Sequence, residues 1–129
     1  DNKLVINNKH NLVQFNKINR TDEMTVVLFG NYRNQNREQM FEEAKALIDE
    51  GVNVKLGLVD GTKWDFERMI KDHDLRNYSE NLFRGALSLR TFSGLRDNAG
   101  ILLDKEGKVI CVFEYNNIDQ IRTMLKIAE

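Results

Sequence analysis

The sequence predicts an α/β domain in three layers. A mixed sheet of about five strands carries helices on both faces and an antiparallel hairpin near its end. Three observations predict it. Residues 24–29 form an apolar run rich in β-branched residues, and after a polar loop over 30–36 a helical stripe runs over 37–50. A short apolar run before a 3.6-period segment marks a buried strand feeding a helix. The alternation repeats, with an apolar run at 52–60 and a second helical pattern after it. Finally, the apolar runs 101–103 and 109–113 are separated only by residues 104–108. So short a connection permits only antiparallel pairing, because parallel neighbours need a crossover of about a dozen residues.

The elements follow in order. Residues 3–6 read as a short strand. Over 8–19, Leu12, Phe15 and Ile18 recur at three-residue spacing beside Val13, which predicts a short amphipathic helix with an Asn cap. A polar break at 21–23 precedes the central strand. In the helix over 37–50, Met40, Phe41, Ala44, Leu47 and Ile48 share one stripe, with Asn36 the expected N-cap and Gly51 the expected left-handed residue closing it. The strand over 52–60 alternates and then turns apolar throughout, as in a sheet covered on both faces. Asp60 and Gly61 turn the chain. Thr62 to Asp65 resemble a capping box with Asp in place of Glu. The helix it opens runs to about His73, with Phe66, Met69 and Ile70 inward. Trp64 and Phe92 are expected in the core, the alternative being an aromatic binding surface shared with Tyr32. Residues 76–98 exceed what a plain connection needs and read as a helical insertion or a lid-like excursion. There Ser79 caps a helix in which Leu82, Phe83, Ala86 and Leu87 share a face, and Ser93-Gly94 ends it. A last helix, capped by Asn116 or Asn117, carries Ile118, Ile121, Met124 and Leu125 on one side.

Composition sets the bounds. At 129 residues the chain reads as one domain spanning 1–129. The 19 basic and 20 acidic residues nearly cancel, which disfavours a nucleic-acid partner, for which a basic excess is needed. The apolar runs are too short to span a membrane, and no signal peptide opens the sequence. The single cysteine, Cys111, leaves no CxxC pair and no intrachain disulfide. Flanked by apolar residues, it reads as a small buried hydrophobe. There is no proline, where average usage would supply about six. No glycine-rich phosphate loop is present. His73, between Asp72 and Asp74, reads as a solvated helix end, and neither it nor His10 points to a metal. No cofactor is expected. Asp60, Asp65 and Asp104 form no fixed carboxylate pair.

The strand-loop-helix over 26–48, the strand ending at Asp60, Trp64 in the next helix and the hairpin from Gly100 to Ile110 together resemble the thioredoxin superfamily. The hairpin is similar to that of TlpA-type and alkyl-hydroperoxide-reductase-type thiol oxidoreductases. The resemblance covers nearly the whole chain and matches worst over 76–93. It implies a thiol before the long helix, where free N–H groups and a partial positive charge lower a cysteine pKa. The matching residues are Arg33, Asn34, Gln35, Asn36 and Arg37, with no thiol among them. The cis-proline that the resemblance implies near Asn98, Ala99 and Gly100 is absent as well. No thiol–disulfide oxidoreductase or cysteine peroxidase activity is therefore expected. The expected role is binding or scaffolding of a protein or small anionic ligand. Its face is made of Tyr32, Arg33, Asn34, Gln35, Asn36 and Arg37 with Asn98 and Ala99 opposite, and the alternative is that the arginines are scattered surface charge. Two further roles stay open: an enzyme of a non-thiol class that reuses the Tyr32–Arg37 loop, and a non-catalytic subunit of an oxidoreductase system. The resemblance implies an extracytoplasmic location.

Overall fold

A computed structural model describes residues 4–18, 22–30, 36–59, 62–86 and 99–128. Seven strands form one sheet: β1 (Leu4–Asn7), β2 (Leu12–Gln14), β3 (Thr25–Gly30), β4 (Asn53–Leu58), β5 (Leu82–Arg84), β6 (Ala99–Leu103) and β7 (Val109–Glu114). Their order is β2-β1-β5-β4-β3-β6-β7. Among the described residues four helices accompany them: α1 (Phe15–Ile18), α2 (Arg37–Asp49), α3 (Lys63–Asp72) and α4 (Ile118–Ala128), with a 3₁₀ helix at Arg76–Asn81.

The chain steps from β3 to β4 to β5 in one direction, and all three strands are parallel. Right-handed crossovers therefore place α2 and α3 on the same face. There Met40, Phe41, Ala44 and Leu47 of α2 and Phe66 and Met69 of α3 bury against Val26, Leu28, Val54, Leu56 and Leu58, with Ile121 of α4 beside them. The odd-numbered residues Val27, Phe29 and Val59 point the other way, into a second core with Val5, Phe83, Ala99 and Ile101. Phe15 and Ile18 of α1 pack on that core, the Phe15 ring 5.5 Å from that of Phe83. The sheet thus carries helices on both faces. β6 lies antiparallel to β3, and β7 antiparallel to β6, as the short hairpin requires.

Local chemistry sets the boundaries. Gly51 takes φ +92°. The N–H groups of Gly51 and Val52 donate to the carbonyls of Ile48 and Leu47, each at 3.0 Å, a Schellman end in which only glycine avoids strain. Thr62 and Asp65 form the capping box with both bonds present, at 3.2 and 3.0 Å. At α4 the cap is Asn117, whose Oδ1 accepts from the N–H of Gln120 at 3.1 Å.

Four expectations are corrected. The sheet has seven strands rather than about five, because β2 and β5 are only three residues each and too short to show a period. Residues 8–14 are a turn and β2, so the expected helix shrinks to Phe15–Ile18. The Asn7 Oδ1 accepts from the N–H groups of Lys9 (2.9 Å) and Asn11 (3.0 Å), and His10 adopts φ +66°. That local network turns the backbone before a helix can nucleate. Residues 76–84 form the 3₁₀ helix and β5, not a helix from Ser79 through Leu87. Residues 87–98, with Phe92, lie outside the described residues. Trp64 is 65% exposed, with Arg68 stacked 5.3 Å from its ring. It sits two residues before Phe66, about 200° around the helix from the buried stripe.

Candidate functional site

β3 ends at Gly30 and α2 begins at Arg37. Here the strand order switches, with parallel β4 on one side of β3 and antiparallel β6 on the other. Ligand sites of open α/β sheets gather at such a point. Asn36 stands at the N-cap position, where its carbonyl accepts from the N–H of Met40 at 3.1 Å. Its side chain makes no capping bond. The first turn of α2 therefore presents a partial positive end, to which Arg37 adds a full charge. Ala99 opens β6 at the same end of the sheet and is wholly buried, so it contributes shape and no polar group. Of the expected face, the structure places Asn36, Arg37 and Ala99 at this end. Tyr32, Arg33, Asn34, Gln35 and Asn98 lie outside the described residues.

Two groups flank this end that the sequence did not connect with it. Gln39, Met40, Tyr115 and Asn116 line a recess of about 20 Å³ with Asn36. Gln39 Nε2 reaches Glu43 at 3.4 Å and the Asn116 carbonyl at 3.5 Å. The Tyr115 hydroxyl donates to Glu43. Burial, then that hydrogen bond, pushes the Tyr115 hydroxyl far up, so it stays protonated. Tyr115 lies between strand and helix, and no local pattern reveals that it meets a glutamate on α2.

On the other flank, the His73 ring meets Phe41 edge-on, with centroids 4.5 Å apart. Burial lowers the His73 pKa and the charge of Arg37 lowers it further, against the opposing pull of Asp72 and Glu38. The expected solvated helix end is thus a half-buried imidazole within the field of Arg37. Its carbonyl accepts from Lys45 Nζ at 3.0 Å. Among the described residues no group of three His, Cys, Asp or Glu side chains is placed to hold a metal.

Cys111 sits in the middle of β7, paired with Leu102. It is half-buried rather than fully so, and burial raises its pKa. That is the reverse of the electropositive setting that yields a reactive thiolate. No described helix is long and apolar enough to cross a membrane.

No family model matches the chain, and no curated protein matches it. Solved structures do. The exposed lipoprotein thioredoxin of Streptococcus pneumoniae is 16% identical, with 98% of this chain covering 99% of that one at a TM-score of 0.75. A thiol-disulfide oxidoreductase from Bacteroides fragilis is 14% identical over 98% of this chain and 97% of its own, at 0.75. A thiol:disulfide interchange protein from Bacteroides sp. is 20% identical over 95% and 83%, at 0.69. At such identities the likeness is one of fold, and the fold is thioredoxin-like.

Proposed function

We propose that this thioredoxin-like domain binds a protein or a small anionic ligand at the α2 N-terminal face and carries out no thiol–disulfide exchange. The observation that carries the reading is the chemistry of that helix start: residues 31–37 hold amides, a tyrosine and two arginines, with no thiol. A helix N-terminus beside Arg37 favours anions and carboxylates. The chain's one cysteine is on the outer strand with a raised pKa, which supports the absence of electron handling. The recess beside Asn36, about 20 Å³, has room for about one water. With near-neutral charge the domain takes no nucleic acid. An exposed lipoprotein among the structural neighbours supports an extracytoplasmic setting.

Calorimetric titration with inorganic phosphate and a panel of dicarboxylates tests the reading. The wild-type domain binds at least one of them, and Arg37→Glu lowers that affinity about tenfold, the loss of one charge-assisted contact. Binding that ignores both Arg33→Glu and Arg37→Glu contradicts it.

A further inference from the structure

We propose that the β1–β2 hairpin and α3 together form a docking surface for a partner protein, whose contacting segment combines apolar side chains with carboxylates. Three large apolar side chains stand in the open on these two elements: Leu4 is 54% exposed, Leu12 67% and Trp64 65%. Register places the hairpin residues on one side of the sheet. Val5 points into the second core, so its neighbours Leu4 and Ile6 point to the face that α3 covers. Leu12 pairs with Ile6 across the hairpin and shares that face. α3 stands alongside. His10, in the hairpin turn, bonds Glu67 at 2.7 Å, and its ring meets Phe66 edge-on with centroids 5.8 Å apart. Trp64 lies one turn before Glu67, about 60° from it around the helix, so it borders the hairpin.

The charges select the kind of partner. Each acid of α3 is already engaged: Asp65 in the capping box, Glu67 by His10 and Asp72 by Arg68 at 3.4 Å. The lysines are not. Lys63 and Lys71 lie four residues to either side of Glu67, on one stripe of the helix, and Lys9 adjoins His10 in the turn. All three are exposed, and none has an ion-pair partner among the described residues. Arg68 adds a guanidinium 5.3 Å from the Trp64 ring. Tryptophan and arginine are the residues in which interface energy concentrates. A segment that sets apolar side chains against Leu4, Leu12 and Trp64 and carboxylates toward Lys9, Lys63 and Lys71 is complementary on both counts. This surface is separate from the α2 N-terminal face, so either can fail without the other.

An end-blocked peptide with two leucines flanked by glutamates tests this, beside a twin with glutamine at every glutamate. Trp64 is the only tryptophan, so its emission reports occupancy of the surface. The acidic peptide should shift that emission to the blue and saturate, and calorimetry should find the twin about tenfold weaker. Lys63→Glu with Lys71→Glu weakens the acidic peptide about tenfold, and added salt weakens its binding to wild type. Leu12→Ser weakens it several-fold, and circular dichroism confirms that these variants remain folded. Trp64 emission that the acidic peptide leaves unmoved overturns the proposal. So does a twin that binds equally well, or an affinity indifferent to reversal of the two lysines.

Discussion

Gly57 sits in the middle of β4, paired with Phe29 on one side and Phe83 on the other. A Cβ at this position would lie 2.5 and 2.7 Å from atoms of the Phe83 ring and 3.0 Å from Ala86 Cβ. Phe83 is wholly buried and its ring is packed against Phe15, so it has little room to retreat. Forcing an extra methyl into such a site costs about 1–3 kcal/mol. Removing glycine's freedom from the unfolded chain returns about 0.4–1 kcal/mol. Gly57→Ala is therefore expected to lose about 1–2 kcal/mol net, a melting shift of roughly 4 °C per kcal/mol for a chain of this size. Far-ultraviolet circular dichroism during urea unfolding is the suitable assay, since Trp64 is 65% exposed and its emission changes little. Adding Phe83→Leu should recover part of the loss, because the two positions share one contact. Gly57→Ala as stable as wild type, or a double variant worse than the sum of the singles, refutes the packing argument for the second core.

Three further outcomes follow from the structure. Thr62→Ala removes the hydroxyl half of the α3 capping box and should lower stability by about 1 kcal/mol, read from urea midpoints; Thr62→Ser should lose little. The folded-state pKa of His73 is lowered by burial and by Arg37, so the fold prefers the neutral imidazole. The stability this contributes is present above the ordinary value of 6.5 and drains away as the pH falls from there through the lowered folded value. His73→Gln should flatten that part of the pH–stability curve, and an unchanged slope would remove the histidine from the account. Burial raises the Cys111 pKa, so iodoacetamide at neutral pH should modify it several-fold more slowly than free cysteine, followed by mass spectrometry. Faster modification would place the thiol in a different environment.

The sequence was most readable where one local rule dictates one structure. The stripe from Met40 to Leu47 became the buried face of α2, Gly51 took the left-handed conformation, and the short connection at 104–108 imposed the hairpin. It was least readable where three residues form a strand. Leu82, Phe83 and Arg84 carry no period long enough to separate strand from helix, and only pairing with Leu56, Gly57 and Leu58 decides the matter. The Trp64 error was avoidable, since its angular position opposes the stripe of Phe66 and Met69. At the candidate site, Asn36 and Arg37 follow from the start of the helix. Tyr115 and Asn116 could not be foreseen, because they reach α2 across more than 70 residues of sequence: Tyr115 bonds Glu43 at a separation of 72 and Asn116 bonds Gln39 at 77. The ion pair of Arg122 with Glu50, at 2.5 Å, ties α4 to the end of α2 across a similar span.

The central claim is that a thioredoxin-like scaffold binds here without moving electrons. Its most direct test is turbidimetric reduction of insulin by dithiothreitol, with the domain added in catalytic amounts. The account predicts a rate equal to the uncatalysed background for both wild type and Cys111→Ser. Acceleration by the wild-type domain that vanishes in Cys111→Ser would contradict it.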